Sequence, residues 1–264
     1  MKAEGPPYRP IERADADTQF FAGCIMRTAF GETERATVRM LERSGRRVSA
    51  SAEQTCCGAL HAHAGDGETA RELARRNIDA FSGSAAPIVV NAAGCGAHLK
   101  AYGEVLAGDP AWAARALSFS ARVLDASEAV TPSALSSGPD RPIRPMRVVY
   151  QDACHLAHGQ KIRRQPRLLL GALPNTTVVP IADAERCCGS AGIYNLTHPE
   201  VAGELQRQKV AAILAARPDV VVSGNPGCIL QVQAGLRAAG SDIPVLHLMR
   251  FLDDPSASLG AFRE

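Results

Sequence analysis

Residues 218–228 read PDVVVSGNPGC, and residues 87–95 read PIVVNAAGC. In each, a proline opens a short run dominated by valine and isoleucine, and a Gly–Cys dipeptide closes the stretch. An apolar run of this length fits a strand buried on both faces, as in a parallel sheet. Working outward, TQFFAGC (18–24), MRVVYQDAC (146–154) and TTVVPIADAERCC (176–188) repeat the theme of a strand running into cysteine. Further strands are predicted around Val48 and over IPVLHLM (243–249). Helices are predicted over 31–44, where Val38 and Leu41 share a face and Gly45 ends the run, and over 67–82, 160–171 (across Pro166) and 198–216. Strand–helix alternation of this kind predicts an α/β fold built from parallel βαβ units.

The eight cysteines fall into two equal sets. The first is Cys24, the adjacent pair Cys56–Cys57, and Cys95; the second is Cys154, the pair Cys187–Cys188, and Cys228. Matching members are offset by 130 to 133 residues, both pairs are followed by glycine, and both final cysteines are preceded by glycine. This regularity points to internal duplication and to a pseudo-symmetric molecule of two Rossmann-like repeats. Residues 1–17 read as a flexible tail or linker, 18–130 as the first cysteine-rich repeat, 131–146 (TPSALSSGPDRPIRPM) as a linker, and 147–264 as the second repeat.

Each cysteine follows a strand and precedes a helix or turn. In open parallel sheets the carboxyl ends of the strands form the ligand crevice, so three strand ends per half would gather four sulfurs. Helix N-termini nearby favour thiolates. The chain has 264 residues, of which 46% are hydrophobic, so it needs no disulfide staples. Cysteines clustered in such a chain, which has no signal-peptide core and reads as cytoplasmic, point to metal binding or catalysis. Structural zinc sites bring ligands in C-x₂₋₄-C knuckles, which are absent here, and adjacent cysteines in extended backbone diverge. A cluster several ångströms across accepts divergent sulfurs on different irons, and thiolates hold such clusters. Iron–sulfur binding therefore ranks first, ahead of zinc, metal-free thiol redox chemistry and inert core cysteine.

The residues also limit other functions. Lysine plus arginine is 29 and aspartate plus glutamate 27, so no electrostatic case exists for nucleic acid. No apolar run approaches a membrane span. With no GxGxxG and no P-loop, hydride chemistry belongs to another subunit. His61, His63, His98, His155 and His158 lie close to cysteines and are candidates for hydrogen bonding, proton transfer or a ligand role; surface or capping duty is their plainer reading. His198 and His247 carry no functional reading. Lys161, Arg163, Arg164 and Arg167 form a basic run, read first as a solvated helix face and second as a partner contact.

The C…CCG…C pattern resembles the cysteine-rich domain found twice in heterodisulfide reductase B subunits and in the iron–sulfur subunits of glycolate and lactate oxidation systems. The segments TCCGALHAHAGD (55–66), NAAGCGAHLKAYG (91–103), DACHLAHGQKIRRQPR (152–167), CCGSAGIYNLTHPE (187–200) and GNPGCILQ (224–231) are most similar to the glycolate oxidase iron–sulfur subunit. The resemblance covers about residues 18–254.

It implies an electron-transfer subunit without a catalytic site of its own, in a complex that oxidises a 2-hydroxy acid. A flavin-binding oxidase subunit would supply electrons, and a quinone-type acceptor would receive them. The protein would be cytoplasmic, with any membrane association made through partners. Cys24, Cys56, Cys57 and Cys95 would hold one cluster, and Cys154, Cys187, Cys188 and Cys228 a second. Lactate oxidation, heterodisulfide-type chemistry and a zinc-stabilised scaffold are the alternatives.

Two departures qualify the likeness. The family motif ends in CxxC, and its first cysteine is Ala92 in one copy and Asn225 in the other. Four cysteines per copy suit an ordinary 4Fe–4S cluster, up to two in all, better than a five-cysteine cluster. The ferredoxin-like CxxCxxCxxxCP region usual upstream is not present, so residues 1–17 read as its leftover linker, or the chain stands alone like the small lactate-utilisation subunit.

Overall fold

The computed structural model of the chain describes residues 3–136 and 144–256. It divides into two compact units, residues 1–130 and 131–264. Each unit holds a four-stranded, fully parallel sheet. In the first, β1 (Thr18–Phe21), β2 (Val48–Ser49), β3 (Ile88–Val90) and β4 (Val123–Asp125) lie in the order β2-β1-β3-β4. In the second, β5 (Met146–Tyr150), β6 (Thr176–Val178), β7 (Val220–Ser223) and β8 (Val245–His247) lie in the order β6-β5-β7-β8. The chain is thus an α/β protein of two tandem pseudo-symmetric Rossmann-like repeats.

The apolar runs that suggested central strands are central. Ile88, Val89 and Val90 in β3, and Val220, Val221 and Val222 in β7, have no accessible surface. The edge strands are short, β2 having two residues and β6 three partly exposed ones, which limits pairing with another chain. The strand β4 is not anticipated, because three residues with a half-buried Leu124 carry no periodic signal.

The first unit's core packs Phe21, Ile78, Phe81, Ile88, Leu99, Tyr102 and Phe119 together. The Tyr102 and Phe119 rings stack with centroids 5.2 Å apart. Residues 3–17 lie against this unit: Tyr8 is buried with its ring edge-on to Phe20 at 5.9 Å, and the Tyr8 amide donates to the Arg27 carbonyl. Of the segment 131–146, Pro132–Leu135 forms a 3₁₀ turn, and residues 137–143 lie outside the described residues.

Helix boundaries move where proline decides them. The helix expected over 160–171 runs only Gln165–Gly171, since Pro166 lacks an N–H and clashes with a preceding turn, and so fits only the first turn. Ahead of it, His155–Gly159 forms a single π turn.

Candidate metal centres

Strand order fixes where the cysteines meet. In the order 2-1-3-4 the direction in which strands are added reverses between β1 and β3, and ligands of open parallel sheets bind at such a switch point. Cys24 opens the helix Cys24–Ala29 that follows β1, and Cys95 lies in the first turn of Ala93–Lys100 after β3. The second unit repeats this with Cys154 after β5 and Cys228 in the first turn of Pro226–Ala238 after β7.

The sulfurs of each quartet act on one another. In the first unit the Cys24 and Cys56 sulfurs are 3.7 Å apart, and those of Cys57 and Cys95 are 3.2 Å apart. In the second, Cys187 is the neighbour that acts most strongly on Cys154, and Cys187 and Cys228 are those that act most strongly on Cys188. All eight are free thiols. Cys24 is exposed, Cys56 and Cys95 are half-buried, and Cys57 is buried; in the second unit Cys188 and Cys228 are both buried.

The pairing polarises the thiols. Cys56 is drawn far below the usual thiol range, chiefly because Cys24 and then Cys57 donate to it, with the Gly58 N–H adding a donor at 3.5 Å. Cys187 is lowered in the same way by Cys154, Cys188 and the Gly189 N–H at 3.4 Å. Cys57 and Cys188, whose hydrogens are given to neighbouring sulfurs, are pushed up. Each quartet therefore carries a ready thiolate at the first residue of its adjacent pair, and thiolate is the form that binds metal.

The glycine after each pair is a backbone requirement. Gly58 and Gly189 sit at φ +88° and +91°, where side chains are strained. A Cβ on Gly58 would lie 3.3 Å from the Cα and carbonyl oxygen of Ala70, and one on Gly189 would lie 2.3 Å from the Ala202 carbonyl oxygen. The cysteine turn is pressed against the following helix in both units.

Other side chains hold these turns. Asn77 donates to the Cys56 carbonyl at 2.9 Å and accepts from the Thr55 amide at 2.9 Å, and the Tyr102 hydroxyl donates to the Cys57 carbonyl at 2.7 Å. In the second unit the Lys209 ammonium donates to the Asp183 and Ala184 carbonyls, both at 2.9 Å, just ahead of Cys187. Arg167 clasps the buried Asp152 carboxylate at 2.8 and 2.6 Å, two residues before Cys154. Arg163 pairs with Glu185 at 2.7 Å. These two members of the basic run thus brace the second quartet's loops while staying partly exposed, and Lys161 and Arg164 lie exposed as a solvated face requires. None of Asn77, Tyr102, Lys209 or Asp152 is a sequence candidate; aligning the two copies on their Cys–Cys pairs sets Asn77 against Gln208, one residue short of Lys209, so only the contacts of Gly58 with Ala70 and of Gly189 with Ala202 reveal the match.

Glu34 is another residue that sequence reasoning misses. It is fully buried in the helix Gly31–Arg43 and accepts from the Asn91 side-chain amide at 2.6 Å, which holds the loop leading to Cys95. Burial pushes its carboxyl well above the usual range, against the opposing Asn91 hydrogen bond. A raised acid is protonated in the folded chain while the unfolded chain has already lost the proton. Stability therefore falls as pH rises from the ordinary glutamate range toward the folded value. Glu34→Gln, which keeps the shape without the acid, is expected to lose less stability than the native chain between about pH 5 and about pH 8. Urea unfolding at both pH values checks this, and equal losses in the two proteins would refute it.

The histidines divide. His155 Nδ1 is 3.7 Å from the Cys154 sulfur. His98 packs edge-on against Tyr102, burial pushes it down to about 4, and its Nε2 has no hydrogen-bond partner. His61 faces Asp66, and His158 faces Glu185. His198 stacks on Tyr194, and His247 caps Leu248–Asp253.

Among the described residues, no three His, Cys, Asp or Glu side chains close around one metal-ion position. Four soft donors in each quartet, with Cys56 in the first and Cys187 and Cys228 in the second drawn toward thiolate, and backbone held back by glycine fit a multinuclear group better than a single ion. Among the described residues, no helix is long and apolar enough to cross a membrane.

A family model described as "Cysteine-rich domain" matches residues 18–100 and 148–233. The chain is 36% identical over 250 residues to the probable glycolate oxidase iron-sulfur subunit of Bacillus subtilis (strain 168), covering 94% of this chain and 56% of that protein. It is 28% identical over 235 residues to lactate utilization protein A of an Exiguobacterium species, covering 89% of this chain and 96% of that one. The chain thus spans about half the length of the first relative and nearly all of the second. Among solved structures, a hypothetical protein from Helicobacter pylori matches with a TM-score of 0.61 at 11% identity, covering 100% of this chain and 52% of that one. That likeness concerns the fold alone.

Proposed function

The chain belongs to the cysteine-rich (CCG) domain family and carries that domain twice, and from this premise we propose that it is an iron–sulfur electron-transfer subunit of a 2-hydroxy-acid oxidising complex. The observation that carries the reading is the gathering of eight thiols into two quartets, each at the switch point of its own parallel sheet. Cys24, Cys56, Cys57 and Cys95 would hold one cluster, and Cys154, Cys187, Cys188 and Cys228 another, both of the 4Fe–4S type. A bound cluster supplies one-electron acceptance and release. The buried Cys57 in the first quartet and Cys188 and Cys228 in the second would hold their cluster away from water, and the exposed Cys24 would leave the first site open to a partner for electron exchange.

The donor in this reading is a flavin-binding oxidase subunit. Conversion of glycolate to glyoxylate releases two electrons and two protons; the electrons pass singly through this chain toward a quinone-type acceptor. The flavoprotein carries the substrate chemistry, since no dinucleotide motif occurs here. The likeness to lactate utilization protein A favours lactate as the second substrate candidate.

Anaerobic purification and cluster reconstitution, followed by assays of iron and acid-labile sulfide, test the proposal. Both are expected in stoichiometric amounts, with broad visible absorbance. Near-zero values of both would defeat it, and stoichiometric zinc without visible absorbance would favour a scaffold. Reduction of the loaded chain by a flavoprotein with glycolate, and not with lactate, would separate the two acids.

A further inference from the structure

We propose that the second repeat holds the more readily reduced of the two centres, and that Lys209, a cation without a counterpart in the first repeat, is the positioning residue that makes it so. This rests on the iron–sulfur reading above.

The repeats can be placed in register by their own contacts. Gly58 presses on Ala70 of the helix Gly67–Ala80, and Gly189 presses on Ala202 of the helix Pro199–Ala216. Seven residues further along, two turns on and on the same face, the first helix presents Asn77 and the second Lys209. Both are buried, at 0% and 2% exposure. Both hold the backbone that enters the adjacent cysteines, Asn77 at Thr55 and Cys56 and Lys209 at Asp183 and Ala184. The mechanical task is shared, and the charge is not.

A buried ammonium bonded to two neutral carbonyls needs a negative partner. Among the described residues, no carboxylate forms an ion pair with Lys209. Asp152, the acid in its field, is already held by both nitrogens of the Arg167 fork. Burial draws the Lys209 ammonium down, and the groups that oppose this are the Cys188 sulfur, Asp152 and the Cys228 sulfur, of which Cys228 is itself drawn toward thiolate. Charge is weakly screened at such a buried site, so the ammonium favours negative charge on the quartet.

A second difference acts in the same direction. The Asn225 side-chain amide donates to the Cys228 sulfur at 3.5 Å. Ala92 occupies the matching place in the first repeat and offers no donor. Hydrogen bonds to sulfur and nearby positive charge both stabilise an added electron and raise a cluster's reduction potential. The histidines do not tip the comparison, since the first residue of each adjacent pair has one imidazole acting on it, His61 on Cys56 and His155 on Cys187.

The test is a redox titration of the anaerobically reconstituted full chain, followed by electron paramagnetic resonance. Two steps are expected, and the higher-potential step should be the one missing in Cys154→Ser. Lys209→Gln should move that step downward and leave the other in place, Lys209→Arg should keep it near the native position, and Asn225→Ala should lower it by less than Lys209→Gln. Coincident steps, a higher step that belongs to the first repeat, or a Lys209→Gln protein with both steps unmoved would each overturn the proposal. If Lys209→Gln fails to keep its second unit folded, the native order of the steps and the Lys209→Arg protein still decide. A chain that takes up no iron or sulfide fails the cluster reading itself, which distinguishes the two failures.

Discussion

Cys24→Ser and Cys57→Ser are each expected to empty the first quartet and leave the second loaded, so that iron and acid-labile sulfide fall to about half of the native amounts. The reason is chemical. A serine hydroxyl does not ionise near neutral pH and is a hard donor, whereas the site selects for soft thiolate. Cys24 is exposed, so its replacement tests ligation with little cost to packing. Cys57 is buried and in contact with Cys95 at 3.2 Å, so its replacement tests the inner side of the same site. Cys154→Ser and Cys188→Ser should produce the mirror result. The decisive measurement is metal and sulfide per folded chain, with folding checked by circular dichroism. Iron that stays at the native level in both first-repeat variants would remove these cysteines from the ligand set.

Gly189→Ala is expected to have the largest effect on folding of any single methyl addition near either site. Two penalties combine there. At φ +91° an alanine is strained by about 1–3 kcal/mol, and its Cβ would lie 2.3 Å from the Ala202 carbonyl oxygen, which forces the turn off the helix at a further cost of about 1–3 kcal/mol. The sum, about 2–6 kcal/mol, is a large share of the roughly 5–15 kcal/mol that holds a domain together. Gly58→Ala meets nearly the same φ, +88°, but its nearest atoms are 3.3 Å away, so only the conformational penalty of about 1–3 kcal/mol applies in full. Urea unfolding should therefore rank Gly189→Ala well below Gly58→Ala, and the first should also lose the second quartet's iron. Equal unfolding midpoints in the two variants would contradict the assigned contacts.

The sequence made the architecture readable where the signal was local. The valine runs at 88–90 and 220–222 are fully buried central strands, as continuous apolar runs require. The glycine after each cysteine pair was legible as part of the duplication, and the structure shows that both adopt positive φ. Local signals failed where a neighbour overruled them. β4 was too short to show a period, and Pro166 set the start of its helix at Gln165 rather than at residue 160. The bracing residues were illegible for a different reason. Glu34 reaches the cysteine loop through Asn91, 57 positions away, and Lys209 reaches Asp183 across 26. No spacing rule connects such positions, since their meeting depends on how helices dock on the sheet.

By itself, then, the sequence determined the duplicated cysteine spacing, the parallel α/β class and the placing of each thiol just past a strand, because these follow from composition and periodicity along the chain. Only the tertiary structure decided the strand order, the approach of Cys24 to Cys56 and of Cys57 to Cys95, and the neutral Asn77 facing one site where Lys209 faces the other. Those features arise from burial and hydrogen bonds between segments far apart in the chain, which acquire their meaning only once the crossovers have brought them together.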